Sequence, residues 1–204
     1  MKVIDALEPC DGHLPSKIGD NTMDPISKDI AHKFCEGCNW VYETWVTHKL
    51  LFDDNNNPGR NIGKAGAFTE RLSSITQEYC LQQIAKLHDP AIQRNSKNLT
   101  IDYMMRFGEW GERKTDIEKI EAQLQRLWKC IRPARNKALA HNDLETLMAD
   151  APLGSFPDGL DDQYFDALQA LANEVHEKWV GGPYPFNNLA QNDVIEFLTL
   201  LERA

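Results

Sequence analysis

The sequence predicts an all-α fold, an antiparallel helical bundle, and three observations carry that expectation. Apolar residues recur in steps of three and four over long segments, as one face of a helix requires. No segment alternates apolar and polar residues as a half-buried strand does. Clusters of Asn, Gly and Pro, which favour turns, separate the striped segments. At 204 residues, with 42% hydrophobic and 26% charged, the chain is long and apolar enough to bury a core without disulfide staples.

Residues 1–24 are rich in Pro, Gly, Asp and Asn and lack periodicity, so a loose N-terminal arm is expected there. The first long helix is marked by Ile26, Ile30, Phe34, Cys38, Val41, Trp45, His48 and Phe52, and "DDNNNPGRNIG" ends it. A second is expected from Ala67 to His88, with Phe68, Leu72, Ile75 and Tyr79 on its apolar face. "HDPAIQRNSKN" reads as a loop, and a short helix begins near Thr100. The clearest stripe is Ile117, Ile120, Leu124, Leu127 and Ile131, widened by Trp128. Pro133 interrupts it; proline removes a hydrogen bond and clashes with the carbonyl four residues back, so a kink or break is expected at 129–133. Two more helices follow, striped by Tyr164, Leu168, Leu171, Val175 and Trp179, and by Val194, Phe197, Leu198 and Leu201. Residues 25–149 are read as the bundle, and 150–204 as an acidic helical extension packing on it.

No apolar run approaches the ~20 residues of a membrane helix, so no membrane partner is expected. The N-terminus "MKVIDALEPCDGH" has no apolar core of a signal peptide, and five irregularly spaced cysteines read as reduced thiols. The expected location is the cytoplasm.

The net charge of -9 argues against nucleic acid until its distribution is seen. Residues 143–204 carry 12 acids and 2 bases, a net of -10, whereas 1–142 carry 19 acids and 20 bases, a net of +1. Within that near-neutral body, "RLWKCIRPARNK" places Arg126, Lys129, Arg132, Arg135 and Lys137 together with no acid. Such a cluster can contact phosphates whatever the overall charge, although a solvated helix face has the same composition.

Other constellations carry less. "CEGC" (Cys35, Cys38) and "CDGH" (Cys10, His13) mimic a four-ligand zinc site. Cys38, however, lies on an apolar stripe where a thiol behaves as a small hydrophobe, and the core reading is preferred. His48 and His88 read as structural histidines, His176 as surface, and His32 shows no evident acidic partner. "NPGRNIGKAG" lacks the spacing of a phosphate loop, and nothing resembles a nucleophile elbow. Asp161 and Asp162 are adjacent, which on a helix separates the carboxylates.

Arg135, Asn136 and His141 remain. Arginine offers a permanently charged fork for phosphate, and histidine titrates near neutrality and can move a proton to or from a ribose hydroxyl. RNA brings its own nucleophile, the 2′-OH, so neither a metal nor another cofactor is called for. On one continuous helix Arg135 and His141 stand about 120° apart. Convergence therefore requires a helix irregularity or a second copy of the motif. An exposed basic helix end, with Asp143 capping the next helix, is the competing reading.

"RNKALAH" resembles the motif of HEPN (higher eukaryotes and prokaryotes nucleotide-binding) domains: Arg, a polar residue, then His after four to six intervening residues. "IRPARNKALAHNDL" and "HDPAIQRNSKNLTIDYMM" are similar to the AbiU-type abortive-infection branch, over roughly Ile26 to Met148. The resemblance implies a HEPN-type bundle with additional C-terminal helices, a homodimer, and a composite site at the two-fold axis that cleaves RNA without metal. Arg135 would hold the phosphate, Asn136 would assist, and His141 would transfer protons, with Arg126, Lys129, Arg132 and Lys137 contacting RNA. It also implies phage-defence or toxin roles and an antitoxin partner, with RNA and not DNA as the substrate. Asp143 stands where some HEPN toxins carry a modified Tyr, which departs from that mode of control. The alternatives are a non-catalytic HEPN module binding RNA, a nucleotide or a protein, and a scaffold whose acidic C-terminal third carries the function.

Overall fold

The computed structural model describes residues 25–53, 66–134 and 159–203. Among them are six α-helices: α1 (Lys28–His48), α2 (Ala67–Leu87), α3 (Ile101–Phe107), α4 (Lys114–Ala134), α5 (Leu160–Trp179) and α6 (Leu189–Glu202). With 78% of the described residues helical and almost no strand, the fold is an all-α helical bundle. A two-residue hairpin, β1 (Ile92–Gln93) with β2 (Ser96–Lys97), folds the loop that separates α2 from α3. It is too short to show the alternation by which strands are read.

Ser27 starts α1, its hydroxyl accepting from the Ile30 amide at 3.2 Å. The stripe of α1 is buried as its spacing predicts, at Phe34, Cys38, Val41, Trp45 and His48. The helix then widens into a π turn over Lys49–Asp53. Thr100 caps α3 in the same manner, accepting from the Tyr103 amide at 3.3 Å. Gly108 follows α3 because the Trp110 indole lies across it to donate to the Met104 carbonyl at 3.0 Å. A Cβ at Gly108 would stand 2.5 Å from that indole nitrogen.

The most extensive packing is α4 against α5, followed by α1 against α5 and α1 against α2. Ile117, Leu124 and Leu127 of α4 meet Tyr164, Leu168, Leu171 and Val175 of α5 in one core with Phe34, Cys35 and Ile84. Residues of the acidic C-terminal third thus form part of the centre of the core. The segment after α5 is held by side-chain amides: Gln169 donates to the Tyr184 carbonyl at 2.7 Å, and Asn173 accepts from the Tyr184 amide at 2.9 Å.

Two expectations are corrected. Phe68, Ile75 and Tyr79 of α2 are exposed, and the helix instead buries Cys80, Leu81, Ile84 and Leu87. Only its second half carries the buried set, on the side opposite the predicted stripe. Phe197 of α6 is likewise exposed, while Val194 and Leu198 are buried. At Pro133 the expected interruption is not a break, since α4 stays helical to Ala134. The carbonyl that loses its partner belongs to Lys129, an exposed residue near the helix end, where water can take the place of the missing amide.

Candidate functional site

The buried stripe of α4 fixes the helix's rotation against α5 and turns Arg126, Lys129 and Arg132 outward, all three exposed. Among the described residues no ion pair reaches them. At about 100° per residue, steps of three wind these cations around the helix surface. Arg132 comes to lie on the same face as Glu121, Gln125 and Trp128, at spacings of four, three and four. Arg135, Asn136, Lys137 and His141 lie outside the described residues, as do Cys10 and His13. The structure therefore describes the helix that leads into the motif, whose first residue follows Ala134 directly.

Beside that face of α4 is a cavity of about 220 Å³, lined by His88, Ile101, Asp102, Arg106, Glu121 and Gln125. His88 ends α2 and stacks flat on Trp128, with ring centroids 4.9 Å apart and planes 5° from parallel. Its Nε2 pairs with the Tyr164 hydroxyl at 3.2 Å, and its buried Nδ1 has no hydrogen-bond partner. Burial lowers the His88 pKa to about 3, so the ring is neutral, and burial raises that of Tyr164, so the phenol keeps its proton. Both oxygens of Asp102 are engaged, one accepting from the Ala91 amide at 2.8 Å and the other from Arg106 Nε at 2.7 Å. Burial, and then the charge of Asp102, raise the pKa of Glu121, with a hydrogen bond from Gln125 working in the opposite direction.

His88 is a packed histidine, as its position at the end of α2 predicts, whereas the cavity it lines is not evident from the sequence. The spacing of Glu121, Gln125, Trp128 and Arg132 on α4 was the available signal. His88 and Asp102, which complete the cavity, are remote from it in sequence.

A second cavity, of about 340 Å³, is formed by α1, the π turn, α5 and α6 around Tyr42, Trp45, Lys49, Phe165 and Asp166. None of its lining residues comes from α4. Lys49 there bridges Asp161 at 3.3 Å and Asp162 at 3.0 Å, so the two adjacent carboxylates do converge, through one flexible ammonium. His32, read as lacking an acidic partner, has Glu36 one turn on at 3.5 Å. Cys35 and Cys38 are core thiols: Cys35 Sγ donates to the Ala172 carbonyl at 3.3 Å, and burial pushes its pKa up to about 12. Burial also raises that of Cys38. Protonated thiols in an apolar core are poor metal ligands.

An all-α bundle whose cationic helix runs into an Arg-Asn-x4-His motif fits one group of domains. A family model of the HEPN class, AbiU2, matches residues 25–198. The chain belongs to this family. No curated protein and no solved structure matches it. The HEPN match extends well past Met148, where the motif-based resemblance ends, through α5 and into α6. The shared core gives a physical reason: among the described residues, α5 is the element packed most extensively against both α1 and α4.

Proposed function

We propose that the protein is a metal-independent endoribonuclease acting in abortive infection, with its site completed by a second copy of the chain. The observation that carries this reading is the exposed run Arg126, Lys129 and Arg132 on α4, which ends three residues before Arg135. Membership of the HEPN family supports it. A strand of RNA drawn along these cations by its phosphates would arrive at the motif.

In the proposed reaction the ribose 2′-OH loses its proton to a base and its oxygen attacks the adjacent phosphorus. The bond from phosphorus to the 5′-oxygen breaks, and that oxygen takes up a proton. The products are a 2′,3′-cyclic phosphate and a 5′-hydroxyl. Arg135 holds the phosphate and balances its developing charge, Asn136 orients the reacting groups, and His141 transfers the proton. On one straight helix Arg135 and His141 would diverge by about 120°, and in this reading a partner's copy supplies the complementary group. Residues from two chains then act on one phosphate.

The test is incubation of purified protein with RNA in EDTA, beside Arg135→Ala and His141→Ala. Cleavage by the unaltered protein alone, with cyclic-phosphate ends, is the expected result. Equal cleavage by all three would falsify the assignment. RNA binding without any cleavage would instead identify a non-catalytic HEPN module.

A further inference from the structure

The cavity beside α4 has a form that phosphate contacts alone do not require. At about 220 Å³ it is smaller than the ~300–1,000 Å³ pockets of drug-sized ligands, and suits a single heterocyclic ring system. Its charge argues against an anion entering, since Asp102 and Glu121 outnumber Arg106. Its remaining polar capacity argues for a neutral group with several hydrogen-bonding atoms. Each oxygen of Asp102 already accepts one hydrogen bond, and Glu121 and Gln125 have capacity beyond the hydrogen bond between them. Arg106, 57% exposed, adds a flat guanidinium of the kind on which bases stack.

We propose that this cavity receives one unpaired base of an RNA strand and selects bases carrying an exocyclic amino group, while the strand's phosphates follow the outer face of α4. The inference rests on reading the chain as an RNA-acting protein and assigns that site its base specificity. A carboxylate accepts and cannot donate, so Glu121 favours the amino group of adenine, cytosine or guanine over the carbonyl that replaces it in uracil. Gln125 can donate and accept along the same base edge. From Gln125 to Arg132 the helix rises about 10.5 Å, so base and phosphate contacts lie within one short stretch of strand.

The experiment uses the full chain and 2′-O-methyl oligonucleotides, which lack the nucleophile and cannot be cut. Two matched pairs differ at the relevant group: oligocytidine against oligouridine, and oligoadenosine against oligoinosine. The amino-bearing member is expected to bind about tenfold more tightly in each pair. Glu121→Gln and Gln125→Leu, on the partly exposed face of α4, should remove that difference and leave the thermal midpoint nearly unchanged. Ring signals of His88 should shift on addition of cytidine monophosphate and less on addition of uridine monophosphate. Equal affinities within both pairs, binding to none of the oligonucleotides, or a preference that survives both substitutions would overturn the proposal. Cleavage of ordinary RNA is measured in parallel. Base preference without cleavage removes the nuclease reading and keeps the subsite; cleavage without base preference does the reverse.

Discussion

His88 shows how one side chain can be settled on one side and open on the other. Its ring is stacked on Trp128 and tied to Tyr164, and burial leaves it neutral with a pKa of about 3. In the unfolded chain the same ring titrates near 6.5. The unfolded state therefore binds more protons between these values, and the contribution of His88 to stability is full above about pH 6.5 and falls as pH drops. At about 1.4 kcal/mol per unit, the protein should lose roughly 2 kcal/mol between pH 7 and pH 5 through this residue. Denaturant melts of the wild type and His88→Phe at both pH values check it, because other titrating groups cancel in the difference. A gap between the two proteins that does not narrow on acidification would refute the assignment. Arg132 tests the cationic face at the same scale. Arg132→Ala should weaken RNA binding and reduce the slope of log affinity against log salt by about 0.7, the loss of one phosphate contact to a single strand. An unchanged slope would place the strand elsewhere.

The helices differ in how plainly the sequence announces them, and α2 shows why. In α1, α4 and α5 the apolar residues define one face along most of the length, and each of these helices packs on at least two others, so spacing alone identifies the buried side. α2 carries apolar residues on both sides. Ile75 and Ile84, nine residues apart, point in opposite directions at about 100° per residue. The burial of Ile84 follows from where α1 lies, which periodicity cannot state. Ile84→Ala should cost 2–5 kcal/mol, the range of about that size for core truncations, whereas Ile75→Ala should stay within about 0.5 kcal/mol. Equilibrium unfolding at low protein concentration measures both. The candidate site divides in the same way. Its cations form a contiguous acid-free run and were legible from composition. The cavity beside them joins the end of α2, the start of α3 and the middle of α4, so it exists only once the bundle has closed.

At the scale of the whole molecule, the acidic C-terminal third is structural as well as acidic. Asp161 and Asp162 at one end of α5 bind Lys49, and Glu174 near the other end accepts from Arg113 at 2.9 Å. On the same helix Tyr164, Leu168, Leu171 and Val175 are fully buried against α1 and α4. A deletion of residues 159–204 therefore confounds charge with folding. It should abolish the cooperative melt and leave a dye-binding, loosely packed species, as calorimetry and near-UV dichroism would show. A deletion that still melted cooperatively would mean the remaining helices close a core of their own. The electrostatic role needs a change that leaves the core intact. Asp166, Asp193 and Glu196 are exposed, and replacing them with Asn, Asn and Gln raises the net charge by three from -9. If their field opposes RNA, the triple variant binds RNA more tightly at 10 mM salt, where the screening length is about 30 Å. The advantage disappears near 1 M salt, where that length is about 3 Å. Equal affinity at both salts would leave the acids with no influence on the cationic face of α4, and their contribution would then be confined to solubility.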